Sequence, residues 1–254
     1  MIALILLINA LFLFVYMTVV FVLAERRGRL DTVDIAWGPA FLMVAWLTAV
    51  IEVTPQSFVI AILVTIWGLR LAFHIGLRAK KKSDDPRYTE LTKKWKGDVW
   101  RRAYISIFLL QGALVWIISL PIVMASGEQL SGWSWLTWLG GIIWLKGYLI
   151  EVAADRQLRE FLSDKDHPKV LQTGLWHYSR HPNYFGELTQ WWGIGVIALQ
   201  ASYGWVGLIG PIALTILIVY VSGIPPIERR RQEDHQYREY QRKTSPLIPL
   251  PPHQ

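Results

Sequence analysis

The chain has 254 residues, of which 53% are hydrophobic and 14 are tryptophan, with a formal net charge of +7 and no cysteine. A hydrophobic share this high excludes an ordinary soluble domain, and the missing cysteines exclude disulfides and thiolate chemistry. We therefore predict an integral membrane protein whose positive charge implies no nucleic-acid partner.

Seven apolar segments are predicted to be transmembrane helices, because about 20 residues of helix cross a hydrocarbon core. The first is too long and too weakly basic at its start for a cleaved signal peptide. The predicted fold is thus all-α, a polytopic bundle of about seven membrane helices in one domain. The segments lie near Ile2–Ala24, Ile35–Val53, Phe58–Leu77, Ala103–Ala125, Trp135–Ile150, Tyr184–Gln200 and Trp205–Ile224.

Nearly all basic residues lie in the segments on one side of the predicted membrane. With the N-terminus outside, the inward-facing segments hold three Lys or Arg at 26–29, ten at 78–102, six at 146–180 and six at 229–243. These are 25 of the 26 basic residues, and the outward loops hold none. The positive-inside rule therefore predicts an outside N-terminus and a cytoplasmic C-terminus. The predicted location is a bacterial inner membrane, with anionic lipid against the basic loops and the active site facing the cytoplasm.

The third segment carries a charge inside the membrane. Arg70 lies about twelve residues into it, where a charge costs roughly 2.5–3.5 kcal/mol on insertion scales. His74 and Arg78 follow at i+4 and i+8, so the three side chains share one helix face. They either line a cavity for an anionic ligand or reflect a structural ion pair with Arg78 reaching the surface. Asp34, at the start of the second segment, is the predicted partner of Arg70.

A second polar face appears where the fifth segment leaves the membrane. Glu151, Asp155 and Arg159 are spaced at i, i+4 and i+8. Asp155 and Arg159 could form a simple helix pair. Glu151 lies at the buried end, where a carboxylate needs a partner.

The stretch HYSRHPNYFGE precedes the sixth segment. Pro182 suits the first turn of a helix, whose free N–H groups and dipole favour an anion. Arg180 and His181 come just before it, and Asn183 and Glu187 are four residues apart on one face. We predict a nucleotide site, with arginine on phosphate and Asn183 and Glu187 on hydroxyl or amide groups. An ordinary helix start is the alternative.

The C-terminal region repeats this pattern. Arg229–Arg231 could contact phosphate, and Glu228, Tyr237 and Tyr240 could pack against a ring, although a basic lipid-facing helix has the same composition. No metal site is predicted. The two histidines of HYSRH straddle a turn and lack nearby carboxylate ligands.

Several strings together resemble a known family. DIAWG, EVAADRQLREF, LWHYSRHPNYFGE and SGIPPIE look like the bacterial family DUF1295, which is grouped with the C-terminal domain of steroid 5-alpha-reductases. The resemblance implies a seven-helix membrane fold, with substrate-side helices in residues 1–125 and NADPH bound by helices and cytoplasmic loops in 126–254. The cofactor contacts it implies are Asp155, Arg159, Asn183, Gly186 and Glu187, with Tyr178, Arg180, Tyr237 and Tyr240 beside them. We add His181 from the start of the sixth segment, and Arg70 and Arg78 from the shared helix face of the third.

The implied activity is NADPH-dependent reduction of a carbon–carbon double bond in a lipid-like or steroid-like enone taken from the bilayer. Steroid reductases hold and protonate the enone with a glutamate and a tyrosine. No matching glutamate follows Trp37, where the sequence reads GPAFL, and the position that aligns with the tyrosine lies near Trp67 in the third segment. The candidate acids are therefore Asp34, His74 and Tyr88, the last in a loop predicted to turn at Pro86.

Two other functions remain open. RHPNYFGE followed by a C-terminal E…Y…Y…P is similar to isoprenylcysteine carboxyl methyltransferases and phospholipid methyltransferases. Those enzymes bind S-adenosylmethionine, so the alternative is a membrane methyltransferase. The third possibility is a non-catalytic membrane protein that binds lipid.

Overall fold

The computed structural model describes residues 1–79, 86–93, 95–126 and 133–252. In these residues the regular structure is helical, apart from one isolated bridge between Ser179 and Ser245. The chain divides into two compact units. The N-terminal unit comprises Met1–Ser131 and Ala201–Gly207, and the C-terminal unit comprises Gly132–Gln200 and Leu208–Gln254.

Three long helices begin the N-terminal unit: α1 (Ile2–Arg27), α2 (Thr32–Glu52) and α3 (Pro55–Ala79). A short helix, α4 (Pro86–Lys93), follows. Pro86 begins α4, where its missing N–H costs no helix hydrogen bond, and the residues before it that would complete the predicted turn lie outside the described residues. The fourth membrane segment is interrupted and consists of α5 (Val99–Ala103), a π-helical turn (Tyr104–Leu109), α6 (Leu110–Ile118) and α7 (Leu120–Ser126).

The long helices of this unit pack through narrow faces and leave apolar faces outside. On α1 the buried residues recur every three or four positions, and Leu4, Leu7 and Leu11 are exposed. Gly38 of α2 meets Gly68 of α3 so closely that a Cβ on Gly68 would lie 2.9 Å from the carbonyl oxygen of Gly38. Leucines exposed in rows along a helix suit a hydrocarbon environment rather than water.

The C-terminal unit is built on one long helix pair. Its helices are α8 (Trp135–Ser163), α9 (Leu175–Tyr178), α10 (Pro182–Ala198), α11 (Ile209–Ile216), α12 (Ile224–Arg230) and α13 (His235–Lys243), with a π-helical turn (Leu217–Val221) after α11. A 3-10 turn (Gly204–Leu208), most of which belongs to the N-terminal unit, precedes α11 in the chain. Helices α8 and α10 touch backbone to backbone through glycines. A Cβ on Gly186 would lie 2.6 Å from the backbone nitrogen of Glu151, and one on Gly147 would lie 2.6 Å from the carbonyl oxygen of Gly186.

Six segments of the described chain are helical, long and apolar enough to cross a membrane: Ile2–Arg27, Thr32–Glu52, Pro55–Gly76, Val99–Ser126, Trp135–Ser163 and Gly204–Arg230. The remaining predicted span, Tyr184–Gln200, falls on the 17-residue helix α10. The all-α membrane fold is therefore confirmed, and the chain is an integral membrane protein. Its orientation stays a prediction from the distribution of basic residues.

Candidate functional site

A row of polar side chains lies along the contact between α8 and α10. Gln190 donates a hydrogen bond from Nε2 to Glu151 Oε2 at 2.6 Å. Asn183 donates from Nδ2 to Asp155 Oδ1 at 3.3 Å. Glu151 and Asp155 are one turn apart on α8, and Asn183 and Gln190 are two turns apart on α10. The close glycine contact at Gly186 lets these short side chains reach across the helix pair.

This polar row is rich in hydrogen-bond acceptors. Glu151, Asp155 and Glu187 are all buried carboxylates. Gln190 is buried too, and among the described residues its Oε1 accepts no hydrogen bond. A buried carbonyl oxygen without a donor is uncommon in proteins. The row is therefore suited to a ligand that brings hydroxyl, amide N–H or ammonium groups.

The charged residues just before α10 form a second cluster, which is paired internally. Arg180 Nη2 lies 2.7 Å from Glu228 Oε1 on α12, and His181 Nε2 lies 3.3 Å from the same oxygen. Arg180 Nη1 donates to the carbonyls of Gln241 and Thr244. The Arg180 guanidinium thus holds the start of α10, α12 and the end of α13 together. Its predicted contact with a phosphate stays a prediction.

The C-terminal segment is fixed against the chain that leads into α10. The backbone N–H of Arg180 donates to the carbonyl of Ser245 at 2.8 Å, and Ser179 Oγ donates to the carbonyl of Leu247 at 2.7 Å. The backbone N–H of Leu250 donates to the carbonyl of Tyr178 at 3.0 Å. The predicted cofactor helix α10 therefore begins directly after a segment that is hydrogen-bonded to residues 245–250.

Two buried tyrosines of α13, Tyr237 and Tyr240, lie in the same region as these contacts. The Tyr240 hydroxyl donates to the carbonyls of Trp176 and Ser179, the latter at 3.2 Å. Burial raises the pKa of Tyr240 above its usual value. Burial, together with the negative charge of Glu228, also raises the pKa of Tyr237. Both phenols thus stay protonated, and Tyr240 acts here as a hydrogen-bond donor to backbone.

In the N-terminal unit, two of the three candidate acids are in direct contact. The Tyr88 hydroxyl on α4 donates to Asp34 Oδ1 on α2 at 2.8 Å. His74 lies on the neighbouring helix α3, and the contact of Gly38 with Gly68 brings the start of α2 level with this part of α3. A phenol and a carboxylate at hydrogen-bond distance can exchange a proton.

The other predicted site residues have varied surroundings. Arg159 is exposed, and in the described part of the chain it forms no ion pair; the i,i+4 pair of this region is Arg156–Glu160 at 2.7 Å. Tyr178 is exposed, with its ring edge-on to that of His177. Arg70 is half-buried on α3, and its predicted pairing with Asp34 stays a prediction. The side chain of Arg78 lies outside the described residues.

The sequence reasoning missed three residues of this region. Gln190 had a local signal, since it follows Asn183 by seven residues and Glu187 by three and so shares their helix face. Ser179 and Thr244 had none, because they contact partners more than 60 residues away in the chain. Within the described ranges no three His, Asp or Glu side chains are grouped so as to hold a metal ion.

Comparison with known proteins identifies the family. The family described as "Protein of unknown function (DUF1295)" matches residues 20–244. The chain belongs to this family. It is also similar to an uncharacterized protein of Schizosaccharomyces pombe, with 24% identity over 229 residues, covering 76% of this chain. The chain spans 63% of the length of that relative. No solved structure matches the chain.

Proposed function

We propose that this DUF1295 protein is an NADPH-dependent reductase that acts on a carbon–carbon double bond in a lipid-like enone. The polar row of α8 and α10 supports the cofactor part of the proposal. The oxygens of Asp155, Glu187 and Gln190 suit ribose hydroxyls and the carboxamide N–H of a nicotinamide nucleotide. Arg159, exposed one turn beyond Asp155, would contact phosphate.

The contact between Tyr88 and Asp34 is the observation that carries the reductase part. NADPH, when bound, supplies the hydride that adds to the β-carbon of an enone. The α-carbon then needs a proton, which the Tyr88 phenol would donate. Asp34, whose Oδ1 lies 2.8 Å from that phenol, would hold the phenol in place and relay a proton to it between turnovers.

The proposed substrate reaches the protein from the bilayer, since the long helices expose apolar side chains to lipid. The proposed active site faces the cytoplasm, where soluble nucleotides are, because the segments that carry Arg159 and Arg180 hold many of the basic residues. A bacterial inner membrane is the proposed location.

The acidity of the polar row favours one alternative. Glu151, Asp155 and Glu187 place three buried carboxylates on two helices, while the charge of Arg180 is already paired with Glu228. S-adenosylmethionine carries an ammonium and a sulfonium but no phosphate, so it suits an acidic site. Methyl transfer from a sulfonium, however, needs no proton donor such as Tyr88.

Nucleotide binding to Asn183→Ala tests the cofactor assignment. The full chain, purified in detergent, is titrated with NADPH and with S-adenosylmethionine by calorimetry. We expect wild type to bind NADPH, and Asn183→Ala to weaken binding by about fivefold, since one polar contact with the ligand is worth about 1 kcal/mol. The control Trp192→Phe, on the exposed side of α10, should bind as wild type does.

Two other binding results would overturn the reductase proposal. Binding of S-adenosylmethionine without NADPH would overturn the reductase and establish the methyltransferase. If neither nucleotide binds and Asn183→Ala alters only the thermal stability, the reductase and the methyltransferase are both overturned, which is the result expected of a non-catalytic lipid-binding protein.

A further inference from the structure

A buried amide lies between α1 and α2 in the N-terminal unit. Asn9 and Thr48 are both almost fully buried, with 1% and 0% exposure. Asn9 Nδ2 donates to Thr48 Oγ1 at 3.1 Å, and Thr48 Oγ1 donates to the carbonyl of Val44 at 2.8 Å. The single hydroxyl proton of Thr48 is thus used by Val44, so Asn9 must present its NH2 group to Thr48. Asn9 Oδ1 is left without a hydrogen-bond donor among the described residues.

A second unpaired polar group lies where the fourth membrane segment is interrupted. Ser119 separates α6 from α7, and Pro121 two residues later has no N–H to continue the helix ladder. Ser119 is 2% exposed, and its Oγ has no partner in the part of the chain that the structure describes. Interrupted helices occur inside membranes where they line a cavity or are covered by protein.

The packing of α6 on α1 brings this break level with the amide. A Cβ on Gly112 would lie 4.0 Å from the carbonyl oxygen of Leu13, and Trp116 Nε1 donates to the carbonyl of Leu6 at 2.9 Å. Residues later in α6 thus contact residues earlier in α1, so the two helices are antiparallel. Ser119 follows Gly112 by seven residues, or about 10.5 Å, on the same helix face. The same distance along α1 from Leu13 leads to Leu6, which is three residues, or less than one turn, from Asn9.

Two buried polar atoms at one level, an amide oxygen and a hydroxyl, are complementary to one further hydroxyl group. That hydroxyl would donate its proton to Asn9 Oδ1 and accept one from Ser119 Oγ. Glu52, one turn beyond Thr48, adds a buried carboxyl oxygen without a donor among the described residues. An anionic group such as phosphate is excluded, because the available atoms are mainly acceptors. The neighbouring buried residues Ile5 and Leu13 would contact an apolar chain.

We propose that Asn9, Thr48 and Ser119 form a binding site for the hydroxyl group of a long-chain lipid alcohol in the N-terminal unit. We call these three residues the amide site. This site is separate from the polar row of α8 and α10 and does not depend on the reductase proposal. The other source of an O–H group is buried water, which would satisfy the same atoms without binding a lipid.

Photolabelling in detergent distinguishes the two sources. The full-length protein is irradiated with a hexadecanol that carries a diazirine beside the hydroxyl, and the labelled peptides are identified by mass spectrometry. We expect labels on α1 and on the break between α6 and α7. The matched hexadecyl methyl ether, which cannot donate a hydrogen bond, should label these peptides about fivefold less, the ratio that corresponds to one lost hydrogen bond.

Variants test the residues directly. Asn9→Leu removes the amide at similar volume, and Ser119→Ala removes only the hydroxyl, so it provides a second test if Asn9→Leu does not fold. Both should reduce labelling by the alcohol to the level of the ether. Thr18→Val, on the same helix but bonded to Phe14 and Tyr104, should label as wild type does. Equal labelling by alcohol and ether, or unchanged labelling of Ser119→Ala, would overturn the site and assign these atoms to water.

Discussion

Arg180 should be one of the most sensitive positions for stability in the C-terminal unit. The exposed fractions of the Arg180 and Glu228 side chains are only 9% and 19%. Replacing Arg180 by alanine leaves Glu228 without its nearest cation and removes the donor for two backbone carbonyls. Breaking a buried ion pair from one side costs about 3–5 kcal/mol, which for a protein of this size lowers Tm by about 6–20 °C.

The comparison is with Arg156→Ala. Arg156 and Glu160 also lie 2.7 Å apart, but their side chains are 73% and 62% exposed, so this substitution should leave Tm unchanged. Unfolding is followed by circular dichroism in detergent, and limited proteolysis reports whether the C-terminal segment is released. If Arg180→Ala lowers Tm no more than Arg156→Ala, Arg180 does not hold this segment and the reasoning is refuted.

Three further substitutions test other parts of the structure. Gly186→Ala should destabilise the protein by about 1–3 kcal/mol in a detergent unfolding titration, because the added Cβ would overlap Glu151 on α8. The control is Gly141→Ala, whose added Cβ would have no atom within 4 Å. Equal losses of stability in the two variants would contradict the packing of α8 on α10. Tyr240→Phe should cost about 1–3 kcal/mol in the same titration, since two carbonyls lose a buried donor, and an unchanged midpoint would argue against these bonds. Tyr88→Phe should lower enone turnover by about 10²–10⁴-fold in an NADPH oxidation assay while the Kd for NADPH stays constant, and full activity would eliminate Tyr88 as the acid.

The membrane helices could be predicted from the sequence because long apolar runs have few alternatives in a bilayer. The predicted span Ile2–Ala24 corresponds to α1, and Phe58–Leu77 corresponds to α3, each helix continuing by about a turn into flanking residues. The predicted fifth span ended at Ile150, whereas α8 continues to Ser163, and the i, i+4, i+8 spacing of Glu151, Asp155 and Arg159 was the signal of that continuation. The break at Ser119 was missed too, although Pro121 was visible as its signal.

The candidate site was predictable only where its residues share one helix. The spacing of Asn183 and Glu187 placed both on one face of α10, and the resemblance matched Asp155 to the same site. The ion pair of Arg180 with Glu228 joins residues 48 positions apart, and no periodic pattern links them. For the same reason the sequence suggested a phosphate contact for Arg180 and could not show that its guanidinium is held by protein groups.

Hydride transfer itself provides the most direct test of the proposed activity. Vesicles that contain the purified protein and a lipid extract of its source membrane are incubated with NADPH deuterated at C4, and the lipids are analysed by mass spectrometry. We expect deuterium in one lipid species, with one NADPH oxidised for each double bond reduced and no incorporation with Tyr88→Phe. Lipids that gain no deuterium, but gain a methyl group when S-adenosylmethionine is supplied, would contradict the reductase.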